Sequence, residues 1–258
     1  PWGDLAHSAP VHRNSFRFLG LLAYAGVHRD TPIMVTDDSD SIPSPRASRW
    51  ALLALLLITA ATYGRALGGG FLWDDYGLIV DNRYVQDWRY LGRNLTHEFW
   101  DTADSQPQRW RQGRYYRPVV TLSYQLDYQL HGLGPMGYHL SNVLLHLLAV
   151  WLAWVLCRRL APESLMVAFI GAGIFALHPS RAEPVCWISG RTDVLMGLSV
   201  LASLLAFDGA LRARGRRLWL WLSLGWLAFA AALGSKEVGV CVALLLPAMD
   251  LLGRRSPE

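Results

Sequence analysis

Six apolar stretches, at about 50–67, 138–157, 164–177, 194–211, 218–234 and 238–252, set the limits on what this chain can become. Each is close to, or slightly under, the about 20 residues that a helix needs to cross a bilayer, so several must borrow a turn from their flanks. Charged residues make up 17% of the chain and hydrophobic ones 52%, against about 25% charged in an ordinary soluble domain. That balance excludes a soluble globule and a disordered chain alike. The expected fold is an all-α polytopic membrane protein.

The basic residues fix an orientation. Arg46 and Arg49 precede the first stretch, Arg158 and Arg159 follow the second, and Arg212, Arg214, Arg216 and Arg217 follow the fourth. Arg254 and Arg255 follow the sixth. With six spans these clusters share one face, which the positive-inside rule makes cytoplasmic. A nucleic-acid binder would instead carry its charge as a stripe on a soluble domain. The segment 119–133 repeats leucine at 122, 126 and 130 around Asp127 and His131, the pattern of an interfacial helix more than of a span. Residues 1–46 hold Pro, Ser, Asp and His without a period, and read as a disordered cytoplasmic leader. The transmembrane domain is expected over 47–253, with a large external loop at 68–137 and a short tail at 254–258.

The face opposite the arginines collects charges of both signs at helix ends. Buried there without a role, they would cost several kcal/mol per ion. Asp74 and Asp75 stand beside each other just past the first span. Two such carboxylates push one pKa upward and could supply a general base; they could also bind a metal or cap a helix. Arg117 could grip a phosphate bidentately or snorkel beside aromatic residues. Asn142 and His146, four apart on one helix face, suit hydrogen bonds to neighbouring helices. His178, Arg181, Glu183, Arg191 and Asp193 lie close in sequence. With one good nitrogen ligand among them, they fit an anion site with counter-charges better than a metal site. A surface network of ion pairs is the alternative. Lys236 is the only lysine in the chain, and Glu237 follows it. Cys157, Cys186 and Cys241 form neither a ligand spacing nor a disulfide framework. The sequon Asn94-Leu95-Thr96 falls on the external side.

Taken in order, Phe71-Leu72-Trp73-Asp74-Asp75, Tyr116-Arg117-Pro118, Tyr138-His139-Leu140-Ser141-Asn142 with His146, His178-Pro179 with Glu183, Gly190-Arg191-Thr192-Asp193 and Ser235-Lys236-Glu237 form a string. It resembles the membrane domain of the TMTC family, the transmembrane and tetratricopeptide-repeat O-mannosyltransferases of the GT-C class. The resemblance covers roughly 47–253. It implies a GT-C-like helical bundle whose first external loop carries an acidic motif. It also implies a polyprenyl-phosphate mannose as donor substrate, a Ser or Thr hydroxyl of a protein as acceptor, and no further cofactor. The better-known protein O-mannosyltransferases have Asp-Glu where this chain has Asp74-Asp75. Family members continue into further spans and repeats; no 34-residue repeat occurs here, so the sequence reads as part of a longer protein.

On this reading Asp74 or Asp75 is the base, and Arg117, His139, His178, Arg191 or Lys236 meets the donor and its leaving phosphate. Arg191 is the preferred clamp, because a guanidinium fork suits phosphate oxygens. Glu183, Asp193 and Glu237 hold the cations in place, and no metal is required. The three charged stretches are expected to meet in one cavity. The expected partners are the lipid-linked donor, a protein acceptor and membrane lipids, with no nucleic acid. The expected location is a multi-pass position in a bacterial inner membrane or the endoplasmic reticulum. A transporter, or a non-catalytic anchor for a repeat domain, is the alternative. A transporter would place its ionisable groups near the bilayer midplane, whereas here they gather at helix ends.

Overall fold

The computed structural model describes residues 44–102 and 115–254, so the expected leader and tail fall almost wholly outside the described residues. Ten α-helices form among them: α1 Pro45–Tyr63, α2 Arg83–Gln86, α3 Leu91–Asn94, α4 Pro118–His131, α5 Pro135–Leu160, α6 Leu165–Leu177, α7 Ala182–Cys186, α8 Arg191–Arg212, α9 Arg216–Leu233 and α10 Val242–Arg254. No strand occurs among the described residues. Local chemistry sets the starts. Pro45, Pro118 and Pro135 occupy first-turn positions, where their missing N–H costs nothing. Ser44 and Ser164 accept from Ala47 N and Val167 N, each at 3.2 Å, as N-caps. Gly215, at φ 58°, turns α8 into α9.

All six apolar stretches are helical at the expected places. Three helical segments, Pro45–Gly68, Pro135–Leu160 and Ile188–Arg212, are long and apolar enough to cross a membrane. A fourth joins them if Leu165–Leu177 and Pro179–Cys186, bent by 47° at their junction, count as one span. Glu237–Ala248 forms a shorter apolar helix, and α9 opens on Arg216 and Arg217. Trp50, Leu57, Met166, Ile170, Ile174, Trp219, Trp226 and Leu227 are exposed. Apolar surface on that scale suits lipid and not water. This is an all-α membrane protein.

Packing gives the helices their directions. Leu55 of α1 packs with Val150 and Trp154 of α5 and Ala168, Ala172 and Ala176 of α6. Tyr63, at the far end of α1, donates to Ala176 O at 3.1 Å and meets His146 edge to face. Helices α1 and α6 therefore run antiparallel to α5. His146 also shares a hydrogen bond with Ala176 O at 3.0 Å, the packing role that its spacing suggested. Small residues let α8 and α9 approach closely: a Cβ on Gly225 would lie 3.0 Å from Phe207, and one on Gly209 2.8 Å from Trp221. Arg159 pairs with Asp208 at 2.7 Å, which puts the end of α5 beside the end of α8. The start of α1 and the ends of α5 and α8, which carry Arg46, Arg49, Arg158, Arg159 and Arg212, thus gather at one end of the bundle.

The stretch 68–137 is more structured than a loop. Leu78, Ile79, Val85 and Phe99 from its first half bury a common core with Val120 and Tyr124 of α4, Tyr138 of α5, Ile188 of the turn before α8 and Leu195 of α8. On α4, Leu126 and Leu130 are exposed while Tyr124 and Asp127 are buried, an apolar outer stripe over a polar inner face. The sequon is masked: Asn94 is buried and its amide donates to Tyr84 O at 2.8 Å.

Beneath this core lies Arg191, fully buried at the start of α8. Its guanidinium meets Asp127 at 2.6 Å and donates to Asn142 Oδ1 at 2.6 Å and Tyr138 O at 2.8 Å. The Tyr124 ring lies 5.0 Å away. Asp127 also accepts from Ser141 at 2.7 Å. A buried pair of this kind is weak evidence for net stability, but removing one partner leaves a buried unpaired charge. Asp127→Asn should therefore cost about 3–5 kcal/mol, and Asp127→Asn with Arg191→Met should recover part of the loss. Unfolding of both variants in detergent checks this; a cost under about 1 kcal/mol for Asp127→Asn would contradict it.

Candidate active site

The end of the bundle away from the arginine clusters holds a cavity of about 480 Å³. Asp74 reaches it from the segment after α1, Arg117 from the start of α4, Arg181 and Glu183 from the α6–α8 connector, Asp193 from the first turn of α8, and Lys236 from the link after α9. Trp100, Trp187, Ser189, Gly190 and Thr192 complete much of the wall. The three charged stretches of the sequence meet here.

The acidic pair divides between two environments. Trp73 takes φ 44°, rare for a side-chain-bearing residue, and swings its indole into the open, edge to face with Trp187 at 6.1 Å. That turn sends Asp75 inward and leaves Asp74 at the cavity. Asp75 is fully buried and accepts from Leu72 N at 2.8 Å, from Ser189 N at 2.9 Å and from the Ser189 hydroxyl. Asp74 is half-buried and accepts no hydrogen bond from any described residue. Burial raises the pKa of Asp74 above the ordinary value, and the neighbouring charge of Asp75 raises it further. Burial also raises Asp75, while the Ser189 and Leu72 donors oppose that rise.

The cations divide in the same manner. Lys236 Nζ meets both carboxylate oxygens of Asp193 at 2.7 Å. Arg117 grips Glu237 through Nε at 3.3 Å and one terminal nitrogen at 2.9 Å, with the Tyr115 ring 4.7 Å from its guanidinium. Asp193 and Glu237 therefore hold these two cations in place, the arrangement expected of them. Glu183 does not: it is exposed at the cavity and makes no ion pair with a described residue.

Three further residues expected at the donor do not line the cavity. Arg191 is no clamp at the cavity, because its donors are directed to Asp127, Asn142 and Tyr138 and none of it is exposed. His139 is buried on α5 away from the cavity wall, with its Nε2 pressed so near Gly69 that a Cβ there would lie 2.8 Å away. His178 is exposed and turned to the Ser180 hydroxyl at 2.9 Å, with only Ser180 reaching the wall. Two contributors carried little sequence signal. Ser189 matters through its hold on Asp75, and Arg181, one of several charges in the connector, reaches the wall unpaired. Among the described residues no three His, Cys, Asp or Glu side chains converge as a metal site would need.

The division within the acidic pair has a measurable consequence. Asp75→Asn replaces an acceptor by an amide whose N–H₂ must face one of three donors, and should destabilise the protein by about 1–3 kcal/mol. Asp74→Asn removes a partly buried charge with no bonded partner, and should stay within about 0.5 kcal/mol of the original. Denaturation in detergent distinguishes them; equal effects would contradict the division.

No family model and no solved structure matches the sequence. Curated proteins do. The protein O-mannosyl-transferase Tmtc1 of Drosophila melanogaster is 36% identical over 194 residues, covering 74% of this chain and 21% of the relative. The protein O-mannosyl-transferase TMTC4 of Mus musculus is 30% identical over 243 residues, 85% of this chain and 32% of the relative. Tmtc3 of Drosophila melanogaster, of the same description, is 30% identical over 246 residues, 84% and 26%. The chain thus spans between 21% and 32% of the length of these relatives. By these similarities the chain belongs to the TMTC family.

Proposed function

We propose that this membrane domain transfers mannose from a polyprenyl-phosphate donor to a Ser or Thr hydroxyl of a protein at the non-cytoplasmic face, with inversion. The observation that carries the reading is a carboxylate, Asp74, free of bonded partners in a cavity whose other walls supply cations. The description of the relatives as protein O-mannosyl-transferases supports the reaction class. The position of the cavity at helix ends suits a donor whose tail lies in lipid and whose phosphate lies at the rim.

A hydroxyl is a weak nucleophile until a base takes its proton. Asp74 is that base. The acceptor oxygen bonds to the anomeric carbon as the carbon–oxygen bond to phosphate breaks, and the electron pair leaves with the lipid phosphate. Asp74 receives the hydroxyl proton, and a single displacement inverts the configuration. Asp75 does not touch substrate: it anchors the turn that aims Asp74 and, by its charge, helps keep the base strong. Cations on the wall offset the charge that develops on the departing phosphate. Glu183, which makes no ion pair with a described residue, is suited to accept hydrogen bonds from sugar hydroxyls.

The base must be ionised to act, and its pKa is raised. Activity should therefore climb with pH along an acid limb lying above the ordinary carboxylate value of 3.8. Asp74→Asn in the full-length protein should lower kcat by about 10²–10⁴-fold with little change in the donor KM. Mannosyl transfer to an acceptor peptide measures both. Retention of activity within about threefold would refute the assignment.

A further inference from the structure

The three cations on the cavity wall are not equivalent. Lys236 is neutralised by both oxygens of Asp193, and Arg117 by the two-point contact with Glu237. Arg181 makes no ion pair with any described residue. Its guanidinium lies 5.8 Å from the ring of Phe175, the α6 residue two before the helix end, and is only partly exposed. A phosphodiester brings one negative charge. Bound at Lys236 or Arg117, it must either displace a carboxylate or share a cation already compensated. Beside Asp74 and Glu183, both without ion pairs, that would add an anion to a wall with excess negative charge.

We infer that Arg181 is the residue that receives the phosphate of the lipid-linked donor; the inference rests on the function proposed above. It is seated for the task, because Phe175 belongs to the helix that, with α7, makes the bent fourth span. The charge therefore stands where that helix breaks, at the level of the cavity and above its apolar length. The guanidinium offers a planar set of donors that can engage two phosphate oxygens together. Lys236 and Arg117 then act as positioning residues. Lys236 ties the link after α9 to α8, and Arg117 ties α4 to the same link.

The test uses the full-length protein in detergent or nanodiscs, with a short-chain polyprenyl phosphate mannose as probe and an acceptor peptide assayed separately. Arg181→Gln should weaken probe binding and raise the donor KM by about tenfold or more, with the acceptor KM unchanged. Arg181→Lys, which keeps the charge and loses the fork, should recover most of the affinity. A purely structural role would move both KM values and would not be rescued by lysine. If Arg181→Gln binds the probe as the unaltered protein does, while Lys236→Gln or Arg117→Gln abolishes binding, the phosphate sits on a compensated cation and the inference is overturned with the proposed function intact. If the unaltered protein transfers mannose from no polyprenyl phosphate, the proposed function itself fails, and this inference with it.

Discussion

A single buried guanidinium connects the architecture of this membrane domain to its cavity. Arg191 is closed off from the surface and is offset by one carboxylate, Asp127, with Asn142, the Tyr138 carbonyl and the Tyr124 ring completing its surroundings. Those groups come from α4, α5 and α8, so satisfying one charge sets three helices against each other. The same contacts continue outward. Asn142, held by Arg191, donates to Trp187 O at 2.9 Å. Ser189, two residues on, donates twice to Asp75, and Asp75 fixes the turn that exposes Asp74. The close approach of this connector is visible at Gly190, where a Cβ would lie 2.7 Å from Pro184 O. Disturbing the hub would therefore reach the cavity through hydrogen bonds, one residue at a time.

The cavity shows a consistent division between groups that hold the structure and groups left free. Of the two aspartates, one is saturated with donors and one has none. Of the three cations, two are closed by carboxylates and one is open. Ionised groups without partners are costly wherever water is scarce. Their concentration on one wall is therefore the property on which the proposed function rests. The opposite end shows another pattern, in which Arg159 and Arg212 share Asp208 at the surface.

Much of this was legible in the sequence, because period and length report on helices directly. The apolar stretches, the arginine clusters at one end and the meeting of three charged stretches at the other all follow from where residues fall along spans. Depth was not legible. Spacing places Arg191 and Asp193 at the same helix start, yet one is buried beneath the connector and the other pairs with Lys236 at the cavity. The difference lies in Asp127, which reads as one polar residue on an interfacial helix until α4 is seen packed across α5. For the same reason Asp74 and Asp75 were interchangeable as neighbours in a string. The left-handed backbone at Trp73, set by contacts with the connector, separates them. Of the six expected spans, three are single helical segments long and apolar enough to cross and a fourth is a bent pair, because apolar composition does not reveal the bend between α6 and α7.

The central claim is that sugar donor and acceptor meet in the cavity between Asp74 and the connector. It is tested most directly by the structure of the full-length protein, inactivated by Asp74→Asn, in a nanodisc with bound polyprenyl phosphate mannose. The account predicts the mannose ring in this cavity, with its anomeric carbon one hydroxyl's reach from the side chain at position 74 and the lipid phosphate on the wall formed by the connector. A donor bound at the arginine-rich end, or between helices with its sugar away from Asp74, would contradict it.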